Sequence, residues 1–547
     1  MPRAPWPRPA GTGTGRLSEP GWVTGPLLAV LLAILLAVPL APALWADTLR
    51  LAYPAQPRSL DPHQFPPDPA SWPIIMTSYR RLFDLRDGTT ELDSENSAAM
   101  TYRVSDDGLT YTIVLREGRT FTDGTPVDTQ AALFSFDRLM SGQTGQRYFP
   151  FLRSLEVVGP YTFRFHLDRP WPPFLASLTT PMASLVSPGL ARRGPAFLER
   201  ATLGSGRFEV DGYSPGSISL RLRLDLPSVP RLDRVEFVYL EDPRARLDLL
   251  AAGGAHLAWD AVPGPGQAGA VALGAPSFET RFLAFNMTRS YLKLAGVREA
   301  LAGLARAALE SPDPSVRPSA VFPNGLAPGA PLAEDFSPER AEGRAAELLG
   351  RIGPSRIPLD LVYRADDARG REDAEKLAAK LSAYNLPVRL VPLQGSHGQG
   401  LLEKADWDLL IDFRRPELPS PEMWLGLFLD SRSSVRGNPA RFSSAEADGL
   451  IGELNTTVRR DREVALTRLA TLAAQDKPYV MLYQRMVPLA VDPRLQGLRP
   501  HPMWPEVWPI DETNLDPFKP APRVPEPAAP AGPLIKDFDD PVAEPYE

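Results

Sequence analysis

Along residues 104–139 the spacing of apolar positions switches from period two to helical, which predicts a hairpin strand followed by a helix. Residues 110–115 alternate and are rich in β-branched and aromatic side chains, as a half-buried strand requires. Asp106-Asp107-Gly108 supplies the turn before the strand, because Gly accepts positive φ and Asp tolerates it. Asp123-Gly124-Thr125-Pro126 supplies a second turn. Asp128 or Thr129 can then cap a helix whose Ala132, Leu133, Phe136 and Leu139 share one face.

The same reading predicts a strand over 48–53, a helix over 72–85, and hairpins over 157–167 and 205–224. A strand near 235–237, a helix over 242–252 and a strand over 280–286 follow, with 264–274 a surface loop or weak helix. Ser337-Pro338 opens a helix carrying Ala341, Ala345, Leu348, Leu349 and Ile352 on one face, and Gly353-Pro354 closes it. Strands over 359–363, 388–393 and 407–411 enclose a helix over 371–384, and a helix over 462–474 precedes a strand over 479–483. Strand, helix, strand in that order predicts a parallel sheet with right-handed crossovers.

The chain has 547 residues, too many for one ordinary core, so more than one domain is expected. Its 59 basic and 66 acidic residues give a net charge of −7 and are interspersed, leaving no basic stripe for nucleic acid. With no Cys there is no disulfide framework, thiolate metal site or lipidated Cys. Arg3, Arg8 and Arg16 precede a 12-residue apolar run at 27–38, then Ala46 and Asp47. That run is shorter than the ~20 residues a membrane span needs and reads as a secretory signal peptide cut after Ala46. The tail beyond residue 515 is rich in Pro, Ala and acid and is expected to be disordered.

Several segments of these patterns closely resemble the family 5 extracellular solute-binding proteins, the oligopeptide- and dipeptide-binding components of bacterial ABC importers. The resemblance lies in Ser105-Asp106-Asp107-Gly108-Leu109-Thr110-Tyr111-Thr112, then Arg116-Glu117-Gly118, Phe121-Thr122-Asp123-Gly124-Thr125-Pro126-Val127, Phe134-Ser135-Phe136-Asp137-Arg138, and the earlier Ser59-Leu60-Asp61-Pro62. It implies an α/β fold of the periplasmic binding protein type II kind, with two α/β lobes, a hinge and an inserted small domain. The implied division is a signal peptide at 1–46, the first lobe at 47–85, 179–277 and 485–515, an inserted domain at 86–178, the second lobe at 278–484, and the tail at 516–547. The implied function is capture of a peptide-like small molecule, without a cofactor, by a periplasmic monomer that delivers it to an ABC transporter membrane permease. A sensor or scaffold that keeps the fold without transport is the alternative reading.

Asp412 is the leading site residue, at the carboxyl end of a predicted parallel strand where open α/β sheets place ligands. A carboxylate there can hold a peptide α-ammonium through a charge-assisted hydrogen bond. Peptide-binding members carry an Asp after this strand with a Pro four positions on, as in Asp412-Phe413-Arg414-Arg415-Pro416. Arg414 and Arg415 can either neutralise that Asp or pair bidentately with a ligand carboxylate or phosphate. Trp407, Phe413 and Trp424 are candidates for an aromatic wall. Gly212-Tyr213-Ser214-Pro215-Gly216 fits the Gly-x-Ser-x-Gly of serine hydrolases, but its flanks are strands on both sides, so Ser214 reads as a turn residue. The five His lack metal-ligand spacing, and Gly204-Ser205-Gly206 and Gly395-Ser396-His397-Gly398 read as loops.

Overall fold

The computed structural model describes residues 48–515 apart from 87, 94, 226–231, 265–268, 310–320, 328–336, 353–357, 435–436, 457–460, 509 and 511–512. The expected signal peptide, the acidic tail and the Gly353-Pro354 helix stop lie outside the described residues. The strands that build the fold are, in chain order, β1 (Thr48–Tyr53), β2 (Ala99–Val104), β3 (Thr110–Leu115), β4 (Leu152–Val157), β5 (Thr162–Leu167), β6 (Phe208–Ser214) and β7 (Ser217–Leu222). They continue with β8 (Arg234–Tyr239), β9 (Leu257–Trp259), β10 (Val271–Phe285), β11 (Leu359–Arg364), β12 (Val388–Leu393), β13 (Leu409–Arg414) and β14 (Tyr479–Val491).

Ten of them form one sheet in the order β12-β11-β13-β10-β14-β9-β1-β8-β7-β6. The β11, β12 and β13 strands pair in parallel, as the strand–helix–strand order requires, with helices Ala368–Ala383 and Gly395–Lys404 as crossovers. On the other side β1 runs parallel to β8 and β9. The two halves are joined by the long antiparallel pair β10 and β14. Residues 278 and 485, expected as lobe junctions, therefore fall inside continuous strands rather than between them. The β10 ladder slips between Pro276 and Thr280, a bulge that bends the strand where one half gives way to the other.

A separate sheet, β2-β3-β5-β4, carries helix Thr129–Met140 on one face. Phe136, Phe149, Phe163, Phe165 and Phe174 meet there largely edge-on, with ring centroids 4.7–6.3 Å apart. Asp128 caps the helix, its carboxylate accepting the Ala131 N–H at 3.0 Å. The motif residues on this segment are fasteners. Arg138 donates to Asp61 of the Ser-Leu-Asp-Pro loop at 2.9 and 2.5 Å, and Ser135 Oγ accepts the Val186 N–H at 2.9 Å. Ser187 donates to Asp123 at 2.7 Å.

Several expectations differ from what is found. The helix predicted over 72–85 ends at Ser78, and the chain then runs extended because Arg81 bridges Ser184 and Asp84–Leu85 pairs with Leu92–Asp93. Residues 395–398 begin a helix, not a loop. Residues 271–274, within the expected loop or weak helix, already belong to β10, and the strands near 410 and 480 extend to Arg414 and Val491.

Two buried imidazoles make the fold sensitive to acid. His501 Nε2 meets the Thr89 carbonyl at 2.7 Å, and burial pushes its pKa down to about 4. His63, 3.0 Å from the Ser184 carbonyl, is lowered by burial and by the Arg138 charge. An unfolded His titrates near 6.5, so between that value and about 4 the unfolded chain binds protons that the fold refuses. Stability should be full above about pH 6.5 and fall toward pH 4, by up to about 3 kcal/mol for His501. Urea midpoints across this range should drop for the parent chain and flatten for His501→Gln; parallel profiles would refute the assignment.

Candidate ligand-binding cleft

Where β10 and β14 cross between the halves, a cleft of about 260 Å³ opens. Its apolar wall comes from the ends of β1 and β9. Tyr53 and Trp259 stack with centroids 5.5 Å apart and planes within 1°, and the Tyr53 hydroxyl donates to the Glu506 carbonyl at 2.9 Å. The turn after Trp259 is held from behind by buried Arg246, which donates to the carbonyls of Trp259 at 2.9 Å and Asp260 at 3.0 Å. Asp260 takes a positive φ of 50°, which Asp tolerates better than most residues.

The polar wall is built by the bulge. Ser277 and Glu279 face the cleft while Phe278 between them is buried in the core. Glu279 lies 3.7 Å from Arg485 of β14, which also pairs with Asp260 at 3.3 Å. Burial raises the Glu279 pKa above the ordinary carboxylate value, against the lowering charges of Arg485 and Arg415. From the other half, Arg415 donates to the Met503 carbonyl at 2.8 Å and to Glu506 at 3.2 Å, with its guanidinium 5.2 Å from the Trp72 ring. The cleft thus presents three carboxylates and two guanidiniums beside an aromatic stack. Such a surface offers both signs of charge to a ligand.

Of the residues singled out from sequence, only Arg415 lines this cleft. Asp412 sits at the end of β13, partly buried, with its carboxylate accepting the Phe413 N–H at 2.9 Å. Burial raises its pKa, and the positive charges of Arg364, Arg414 and Arg281 oppose that rise. Phe413 has the guanidiniums of Arg281 and Arg364 at 5.4 and 5.6 Å. Arg414 donates to the Gly437 carbonyl at 2.7 Å and lies 4.9 Å from the Phe428 ring. The aromatic-wall expectation needs correction for Trp407 and Trp424. Both rings are fully buried in the core cluster around Phe282 and Phe428, and Trp424 Nε1 donates to the Val321 carbonyl at 2.8 Å. Ser214 is exposed on the β6–β7 hairpin, with Ser217 Oγ at 3.0 Å. Among the described residues no group of three or more His, Cys, Asp or Glu is placed to hold a metal ion.

Residues 95–434 match the pattern of the bacterial extracellular solute-binding proteins, family 5. The chain belongs to this family. Members of this family are binding proteins. The chain is 26% identical over 489 residues to the probable D,D-dipeptide-binding periplasmic protein DdpA of Escherichia coli K12, covering 85% of this chain and 94% of that one. It is 27% identical over 257 residues to the glutathione-binding protein GsiB of Escherichia coli O157:H7, covering 44% and 49%. Its fold is that of the unliganded open form of MppA, a periplasmic murein tripeptide binding protein (TM-score 0.74, 18% identity, 86% of this chain and 98% of that one). The DppA protein from Helicobacter pylori in complex with the peptide STSA gives TM-score 0.61 at 19% identity, with the same coverage. No helix among the described residues is long and apolar enough to cross a membrane.

Sequence reasoning missed Tyr53, Trp259, Glu279, Arg485 and Glu506. They come from five separate segments and carry no shared motif. The one available signal was position: Tyr53 ends a predicted strand, as Asp412 does.

Proposed function

We propose that this family 5 solute-binding protein captures a short zwitterionic peptide in the cleft and delivers it, unaltered, to an ABC transporter permease. The observation that carries this reading is the pairing of opposite charges with the Tyr53–Trp259 stack in a cleft near the lower end of small-ligand volumes. Carboxylates suit an ammonium, guanidiniums suit a carboxylate, and the exposed edge of the ring stack suits an apolar side chain laid against it. The names of DdpA and GsiB, each a binder of a short peptide, support the same ligand class. Ligand that touches both halves at once stabilises the closed arrangement by its extra affinity for that form, with β10 and β14 as the hinge. We place the protein in the periplasm, exported by a signal peptide cleaved after Ala46.

Native mass spectrometry of the protein purified from an exporting host tests this directly. The expected result is a mature chain starting at Asp47 with a di- or tripeptide bound, recovered chemically intact. A bound non-peptide, or a peptide recovered as cleavage products, would sink the reading.

A further inference from the structure

We infer that residues 416–421 form a catch by which the second half of the molecule grips the four-stranded β2-β3-β5-β4 unit, with Leu418 as the anchoring side chain. The inference goes beyond the ligand reading above and needs no assumption about the ligand. Leu418 follows soon after cleft-lining Arg415, yet it is only 3% exposed and lies in the apolar core of the four-stranded unit, with Phe149, Phe165 and Phe174. Met423, on the helix Pro421–Leu429 that follows, packs against the same core. Beside them the Arg147 guanidinium of the unit donates to the Glu417 carboxylate at 2.5 Å, a pair about half exposed on both sides.

The segment is built to present that side chain. Pro416, Pro419 and Pro421 each fix a φ angle, so Leu418 has little backbone freedom to lose when it docks. The Ser420 N–H donates to the Leu418 carbonyl at 2.8 Å, and Ser420 Oγ accepts the Met423 N–H at 3.3 Å, which ties the turn to the helix behind it. The same unit is fastened to the first half by other means. Arg138 donates to Asp61, Thr144 to the Gln64 carbonyl at 2.8 Å, and Arg223 to the Thr120 carbonyl at 3.0 Å. Breaking such bonds strands polar groups, whereas an apolar side chain and a surface ion pair part without that penalty. The four-stranded unit therefore travels with the first half, and the catch is where it parts from the second. Arg415 and Leu418 share one short segment, so releasing Leu418 frees one wall of the cleft, and ligand affinity falls with the fraction of molecules still held.

The test is a distance measurement on the full protein, dialysed free of ligand. The chain has no Cys, so Met100→Cys on β2 and Val464→Cys on helix Asp461–Asp476, both exposed, take spin labels at chosen places only. Double electron–electron resonance should give the labelled parent one main distance. Leu418→Ser should raise the population at other distances by about 10- to 100-fold relative to the held one, the worth of one buried Leu. Glu417→Arg, a surface change that leaves the core alone, should raise it by about 2- to 5-fold, and adding Arg147→Glu should restore the parent distribution. A parent with no main distance, a distribution indifferent to Leu418→Ser, or a charge swap that fails to restore it overturns the catch. If Leu418→Ser does not fold, the charge pair decides: indifference to Glu417→Arg overturns the catch on its own. A non-peptide ligand would overturn the peptide reading and leave this result untouched.

Discussion

Replacing Arg281 by Met is expected to lower the stability of the folded chain by about 3–5 kcal/mol, the usual cost of stranding buried charge. Arg281 sits on β10 two residues beyond Glu279, with its side chain 6% exposed. It donates to Asp367 at 2.5 and 3.3 Å, and its Nε lies 3.3 Å from Asp373. Asp367 in turn caps helix Ala368–Ala383 through the Gly370 N–H, and Asp373, almost fully buried, accepts the Tyr483 hydroxyl. Burial alone would lower the Arg281 pKa, but Asp367 and Tyr483 together outweigh it and hold the guanidinium above its ordinary value. Without the cation, two carboxylates stay buried, and Arg369 at 3.8 Å from Asp373 is too exposed to replace it. Denaturant titration should show the loss in midpoint with unchanged slope. Arg281→Met combined with Asp373→Asn should recover part of it, because one stranded charge is gone. A single-variant loss under about 1 kcal/mol would mean the cluster is solvated and contributes as surface pairs do.

That cluster also explains what the sequence could and could not disclose. Strand and helix signals were legible wherever one local rule decided the outcome: β3 over 110–115, the Asp128 cap, and the parallel run of β11, β12 and β13. They failed where a distant partner decided it. Nothing local stops the helix at Ser78; the stop comes from bridging between Arg81 and Ser184, and from a loop that presses Gly206 so closely on the helix end that a Cβ there would lie 2.3 Å from the Thr77 carbonyl. The glycines at 395, 398 and 400 disguised a helix whose buried side packs against Leu393. Strand-end logic pointed to the Asp412 segment, of which Arg415 lines the cleft, but another wall of that cleft comes from a bulge. A bulge is a property of two strands in register, so Glu279 had no signature of its own. The family motifs, strong as a resemblance, are made of residues such as Asp61, Asp123, Ser135 and Arg138 that fasten loops to a helix. They identify the scaffold and are silent about the ligand.

Trp424→Ala should be as costly as the loss of Arg281, yet leave peptide affinity per folded molecule unchanged. The ring is fully buried, 4.9 Å from Phe428 in an edge-on contact, and its Nε1 donates to the Val321 carbonyl at 2.8 Å. Truncation opens a cavity inside the core of the second half, for which about 3–5 kcal/mol is typical, and removes a buried hydrogen bond of about 1 kcal/mol. Trp407 supplies the internal comparison, equally buried but with no hydrogen-bond partner for Nε1 among the described residues. Trp424→Phe should therefore destabilise more than Trp407→Phe, by about the 1 kcal/mol of the missing bond. Thermal unfolding ranks the two variants, and calorimetry with a bound tripeptide separates folding from binding. Should Trp424→Phe weaken peptide binding while its unfolding temperature holds, the ring would belong to the ligand surface. The cleft would then have to open deeper into the second half than the Tyr53–Trp259 wall implies.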